Sequence, residues 1–404
     1  MKKELIYNRI KIVLVVGLFL LTLWTSLRPC FVLAEDMTEE EAEQKLQESI
    51  KEQLDSMDFW GLEQIINSLD KNQKEIFGGS GFLDRVKKLL NGEYNSSNIF
   101  SAIMYLLMGE ITSFLPVLAT VIGIATLCSL LSSLQFNNTN KGTGNVIYFA
   151  CYGAVILSVS VTVFYLVTLT RNTVIAMQTQ INLIFPIILG VLTAIGGTAS
   201  AAVYQPMVSV LSLVVSQLMV NIVLPLFIFG YIFNIIGNLS PTIKLKKFTS
   251  FTSTLSKWLI GIIFTVFTAF MSIQGITASI HDGVSIKTAK YAISHYIPII
   301  GGYLSDGFNL IMAGSVLIKN AVGVAGLFLL ASTILAPLMK IIVLILTLKL
   351  TAAILEPLAY EGFSNFVGEA AKCLSMLIVI ILSVAFMYFI MLLLVVCTGN
   401  FIWG

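Results

Sequence analysis

The length of its apolar runs limits this chain more than any other feature. From Ile111 onward there are six, at about 111–134, 146–170, 207–237, 258–280, 320–352 and 373–397. Each exceeds the roughly 20 residues that an α-helix needs to cross hydrocarbon, and far exceeds the roughly 10 of a spanning strand. Lipid offers the backbone no hydrogen-bond partner, so a spanning segment must satisfy itself as a helix or within a closed barrel. Runs of this length point to helices. Composition agrees: hydrophobic residues are 57% of the chain, charged residues 11%, and mean hydropathy is +0.90, where a soluble domain carries about 25% charged residues. The expected fold is an all-α polytopic membrane protein whose first partner is the lipid bilayer. A net charge of +2 suggests no nucleic-acid role.

The segment 1–34 reads as a secretory signal. Lys2, Lys3, Arg9 and Lys11 precede an apolar run from Ile12 to Leu27, and Val32-Leu33-Ala34 then Glu35-Asp36 follow, which places cleavage after Ala34. An uncleaved anchor is the alternative; Arg28-Pro29 are the wrong neighbours for lipid attachment at Cys30. The segment 35–98 is an acidic, helical extracytoplasmic region. Thr38 to Glu41 has the capping-box pattern. Ala42, Leu46, Ile50, Leu54 and Met57 recur at helical spacing, then Phe59, Leu62, Ile65, Ile66 and Leu69, then Leu83, Val86, Leu89 and Leu90. A region this short buries little core alone. These helices are expected to pack on a partner or on the membrane part, or else to be a solvated acidic spacer.

The segment 99–404 forms the membrane domain. Two shorter, glycine-rich segments lie between its spans, at about 181–203 and 293–318. Phe185-Pro186-Ile187-Ile188-Leu189-Gly190 lines up with Ile297-Pro298-Ile299-Ile300-Gly301-Gly302, and the prolines are 298 − 186 = 112 apart. Leu224-Pro225-Leu226 and Ala336-Pro337-Leu338 repeat that offset, 337 − 225 = 112. Leu115-Pro116-Val117 is a more diverged third copy. An internal repeat with this offset is implied, its units near 111–206, 207–319 and, partial, 320–404. Each unit is a proline-kinked span, a loop, a straight span and a glycine-proline segment. Proline frees a carbonyl and bends the helix, and transporters line their paths with broken segments of this kind. Pro186, Gly190, Gly196, Gly197, Pro225, Pro298, Gly301, Gly302, Asp306 and Pro337 are therefore candidate pore or packing elements. The alternative is that the small residues simply allow close helix contact.

Charge sets an expected orientation. Lys244, Lys246, Lys247 and Lys257 share a loop without an acid, so that loop is expected in the cytoplasm. Alternation then requires the glycine-proline segments to be re-entrant, or hairpins returning to one face. Lys287, Lys290 and Lys319 fall on the outer side and weigh mildly against this. Asp306 could line a polar path or pair with Lys319. Lys340 is expected to snorkel to an interface, with Glu110 and Glu356 as boundary markers. His281 and His295 are the only histidines. There is no phosphate loop, metal motif or nucleophile elbow. Cys128, Cys151, Cys373 and Cys397 read as small buried hydrophobes. No cofactor and no catalytic activity are expected.

Signal, acidic ectodomain and repeated spans together resemble the stage III sporulation protein AE family of endospore-forming bacteria. The resemblance rests on Gly196-Gly197-Thr198-Ala199-Ser200 through Tyr204-Gln205-Pro206, and on Asp282-Gly283 through Lys287-Thr288-Ala289-Lys290 into Ile297-Pro298 and Ser305-Asp306. It implies a permease-like component of a hetero-oligomeric, secretion-like channel between mother cell and forespore. Its implied partners are sister stage III A proteins and a forespore membrane protein, and its implied location is the mother-cell membrane. A stand-alone secondary transporter of a small solute is the alternative that the residues leave open.

Overall fold

The computed structural model describes residues 39–78, 81–92, 97–135, 141–239, 245–296, 301–358 and 361–398. The expected signal, its cleavage after Ala34, the Thr38 capping box and Pro298 lie outside these residues. The chain divides into two compact units, Met1–Lys45 and Leu46–Gly404. In order, the helices are α1 (Glu39–Asp55), α2 (Trp60–Ser68), α3 (Lys71–Phe77), α4 (Phe82–Leu90), α5 (Ser97–Gln135), α6 (Lys141–Ala194) and α7 (Thr198–Leu218). A π-helical turn, Met219–Val223, leads into α8 (Leu224–Leu239), and α9 (Lys246–Tyr296), α10 (Gly301–Leu358) and α11 (Glu361–Cys397) complete the chain.

Six helical stretches among the described residues are long and apolar enough to cross a membrane: Ile103–Leu131, Val146–Ala194, Thr198–Leu239, Lys247–Ile273, Ile311–Leu358 and Gly362–Cys397. This is a multi-pass membrane protein. The helices fall into three successive pairs, α5 with α6, α7–α8 with α9, and α10 with α11, and the first of each pair carries a proline: Pro116, Pro225 and Pro337.

The glycine-proline segments do not form elements of their own. The stretch 181–194, with Pro186 and Gly190, continues α6 without a break, and 301–318 makes up the first turns of α10. Both helices are far longer than a bilayer needs: at 54 and 58 residues they measure about 81 and 87 Å. Hydropathy falls at 171–181, yet that stretch is ordinary helix. Arg171, Asn172 and Gln178 are polar, but no glycine or proline lies between Ala154 and Phe185 to stop propagation.

α11 runs through the centre. Phe363, Val367, Ala370, Leu374, Leu377, Ile381, Val384, Tyr388, Met391 and Val395 are all fully buried, spaced four and three alternately. That is the seam of a shallow left-handed helix crossing, and α10 is the neighbour α11 touches most. α10 answers with Ile318, Val322, Ala325, Leu329, Ser332 and Ala336, then resumes with Ile341, Leu344, Leu348, Thr351 and Leu355. The one step of five falls across Pro337.

The short helices lie against the long ones. A Cβ on Gly314 of α10 would touch Leu46 and Ile50 of α1, and Ser315 Oγ donates to Gln53 Oε1 at 2.7 Å. Gly61 of α2 sits on Leu183 of α6. Ile76 of α3 packs with Leu106 of α5 and with Leu335 and Ala336 of α10. In α4, Phe82, Arg85, Val86 and Leu89 form the buried face, and the Arg85 guanidinium lies 4.2 Å from the centre of the Phe328 ring. Residues from Leu46 onward thus pack on the membrane helices, one of the two arrangements their apolar faces allow.

Local chemistry fixes these short helices. The Asp70 N–H donates to Gln73 Oε1 at 2.9 Å, and Gly78 ends α3 at φ 81°, a conformation suited to glycine. The start of α4 is capped from a distance: the N–H groups of Phe82 and Leu83 donate to Glu63 Oε1 at 2.7 and 3.2 Å. A carboxylate there meets both the orphan donors and the positive end of the helix. Glu63→Ala is expected to cost about 1 kcal/mol, read as faster hydrogen exchange at the Phe82 and Leu83 amides with little change elsewhere.

Candidate functional site

A polar side chain buried among apolar helices is costly unless bonded, and such groups tend to mark function. Polar groups here are concentrated along α6, and they reach helices of both other pairs. Gln180 Nε2 donates to Thr333 Oγ1 of α10 at 2.5 Å. Ser212 Oγ of α7 donates to Asn182 Oδ1 at 2.9 Å, and the Ser212 carbonyl accepts from the Tyr388 hydroxyl of α11 at 3.1 Å. Ser160 Oγ and the Tyr231 hydroxyl of α8 lie 3.0 Å apart. Four of the helix prolines, Pro116, Pro186, Pro225 and Pro337, free the carbonyl four residues back. Those carbonyls belong to Thr112, Asn182, Asn221 and Thr333, so two of the weakened turns coincide with the Asn182 and Thr333 cross-links.

Three charged sites flank this line. At the Pro337 kink, Lys340 Nζ is 3.7 Å from Glu110 Oε1 of α5 and donates to the Tyr165 hydroxyl of α6 at 3.4 Å. Sequence reasoning treats Lys340 and Glu110 separately, each near an interface; the fold pairs them. The two stand on different helices, and only the packing of α5 against α10 brings them together. Lys319, expected on the outer side and as a possible partner of Asp306, is fully buried, and its ammonium donates to the carbonyl of Thr398, just past the C-terminus of α11. A cation suits that negative helix end. The Tyr204 hydroxyl lies 3.4 Å from Thr398 Oγ1, so α7, α10 and α11 meet there.

Sequence reasoning misses the third site. Asn234 of α8 is 1% exposed. In the amide orientation that best satisfies its neighbours, its Nδ2 donates to Glu369 Oε2 of α11 at 2.8 Å and its Oδ1 accepts from the Ala370 N–H at 3.2 Å. Asn238, one turn on, donates to the same carboxylate oxygen at 2.9 Å. Two amide donors converging on one carboxylate oxygen hold the anion and tie α8 to α11. The signal available in the sequence is the pair Asn234 and Asn238, four apart on an otherwise apolar helix.

The structure separates the other candidate residues by role. Gly196 adopts φ 88°, and Gly197 is so tight that a Cβ would meet Leu192 Cγ at 2.7 Å and the Leu192 carbonyl at 2.9 Å. Together they make the turn from α6 to α7. Gly190 has open space where a Cβ would be and Pro186 is exposed, so neither packs against another helix of this chain. Pro225 follows the π-turn and Pro337 is buried in α10. Gly301, Gly302 and Asp306 lie in the first turns of α10, and the surroundings of the Asp306 side chain lie outside the described residues. Among the described residues no group of three His, Cys, Asp or Glu side chains could hold a metal ion.

Comparison with known proteins extends over most of these elements. The family model described as stage III sporulation protein AE matches residues 82–399. The protein named stage III sporulation protein AE of Bacillus subtilis (strain 168) is 25% identical over 315 residues, covering 78% of this chain and 79% of that protein. No solved structure matches.

Proposed function

Because the chain belongs to the stage III sporulation protein AE family and carries six helices able to cross a membrane, we propose that it is the polytopic subunit of a channel between mother cell and forespore. The family places it among the membrane proteins of sporulation stage III. The observation that carries the finer reading is the family match across residues 82–399, which takes in α4 and every long helix. In this reading the subunit sits in the mother-cell membrane, with α1–α4 in the space between the two membranes, and it works in a hetero-oligomer with sister stage III proteins and a forespore partner. The units of the internal repeat, near 111–206, 207–319 and 320–404, each hold one proline helix, at Pro116, Pro225 and Pro337. The turn at Gly196-Gly197 and the first turns of α10 at Gly301-Gly302 are where partner subunits would meet it. We assign it no catalytic step.

The second reading, a stand-alone transporter, draws on the cross-linked polar residues along α6, since transporters place polar groups and broken helices at mid-bundle. Purification separates the two. A tagged full chain taken from sporulating cells in mild detergent is expected to bring down other stage III membrane proteins and to show no saturable uptake of small solutes when reconstituted alone. Recovery as a lone protein with solute-dependent flux would replace the channel reading. Orientation is tested separately with Ser250→Cys on the exposed side of α9. An impermeant thiol reagent added outside intact cells is expected to leave it unlabelled, and rapid labelling would invert the topology.

A further inference from the structure

The long helices are too long for the membrane they cross, and the structure shows where the surplus goes. The exposed face of α6 changes character along a single helix. Its lower part shows Val146, Phe149, Leu157, Val161, Phe164 and Tyr165 to the outside. Its upper part shows Arg171, Asn172, Thr179, Asn182 and Thr193, with Ile175 the one large apolar side chain. The change falls at Thr168 to Arg171. An exposed arginine and asparagine at that point mark the end of a lipid-facing surface.

Two other helices set a limit at the same place. Tyr165 touches Lys340, and Lys340 pairs with Glu110, so α5, α6 and α10 each bring a polar group to one level. Just beyond it, the charged helix α3 rests on Leu106, Leu335 and Ala336 with Lys71 and Glu75 exposed. Further out, α4 covers Phe328 and the end of α1 covers Gly314, while Glu48, Lys51, Glu52 and Asp55 of α1 remain exposed. Helices with such surfaces belong in water. The part of α10 they clothe is therefore not in hydrocarbon, apolar as it is.

Distances measured inward from that level fit a bilayer. Glu110 to Leu131 on α5 is about 32 Å, Thr168 back to Val146 on α6 about 33 Å, and Lys340 to Leu358 on α10 about 27 Å at roughly 1.5 Å per residue. The hydrocarbon core is about 30 Å thick. Tyr105 and Tyr165 are exposed near the outer limit and Trp258 toward the basic loop, as in an aromatic belt. Lys349 and Lys372 are exposed at mid-depth in the band, where a charge is costly in lipid and tends to face protein or water.

We propose that the lipid band ends at the level of Glu110, Thr168 to Arg171 and Lys340. Everything on the α3 side of it, namely α6 from residue 171 on, α7, the first half of α10 and the helices packed on them, is a head standing in water. Its exposed α6 face meets water rather than lipid, while Trp60, Met108, Val210 and Ile311 leave apolar spots on its other faces. This inference does not depend on the sporulation role.

Four single-cysteine variants of the full chain test it, made after replacing the native cysteines: Thr179→Cys and Thr193→Cys in the head, Leu157→Cys and Val161→Cys in the band. All four positions are exposed in the fold, so burial cannot explain a difference. Proteoliposomes are treated with a charged maleimide after freeze–thaw opening, which removes sidedness, and again in SDS as the reference. The head positions are expected to react at least tenfold faster than the band positions, and a polarity-sensitive fluorophore at 157 and 161 is expected to be quenched by brominated lipids while one at 179 and 193 is not. Quenching at 179 and 193, or equal reaction at all four positions, would overturn the proposal.

Discussion

Replacing Gly323 by valine will remove most of the heat resistance of the purified protein, whereas Gly261→Val will leave it unchanged. Gly323 lies in the contact between α10 and the central helix: a Cβ there would collide with Val396 Cγ2, and on either side Val322 and Val395 are already buried. Gly261, on the exposed side of α9, has nothing within 4 Å of where a Cβ would be. Overpacking a filled core costs about 1–3 kcal/mol, occasionally more, and Gly323→Val should sit at the upper end because two long helices must part. Thermal unfolding followed by size-exclusion in detergent reads the effect. Shortening the opposing residue in the double variant Gly323→Ala with Val396→Ala should restore most of it. Unchanged stability of Gly323→Val would mean that α10 and α11 do not meet as described.

The second large effect is expected at Asn234. Asn234→Leu deletes one of the two amide donors to the Glu369 carboxylate and leaves the charge under-satisfied between α8 and α11. Glu369 is half-buried, so the loss is that of a hydrogen bond to a charged group, about 1.5–3 kcal/mol. The diagnostic result is the cycle. Glu369→Leu added to Asn234→Leu should be more stable than Asn234→Leu alone, since it removes the exposed need for a donor and fills the gap with apolar volume. Additive losses would show that the carboxylate and the amides act independently.

What can be read from the residues divides along a physical line. The six spans are legible because hydropathy over roughly 20 residues is a property of one segment. The polar stretch Arg171 to Asn182 suggests an interruption because hydropathy falls there, yet nothing in it stops a helix, and α6 runs through. Gly196-Gly197 stands out in the sequence, but the turn it makes does not: the left-handed backbone at Gly196 depends on how the two helices on either side meet. Lys340 with Glu110, Lys319 with Thr398 and Asn234 with Glu369 join positions far apart in the chain. No local pattern specifies such pairs. The Asp70 and Gln73 cap is local and legible in principle, having the same spacing as the pattern at Thr38.

The single step of five in the buried stripe of α10 has a mechanical meaning. A step of five exceeds the mean step of 3.5 by 1.5 residues, which turns the stripe by about 150° around its helix, so the outer and inner halves of α10 are keyed to differently placed neighbours. The turn at which they change over has also lost a backbone bond to Pro337. A twist applied to the outer half can thus be absorbed at that turn, leaving the inner half, meshed with its own partners, where it was.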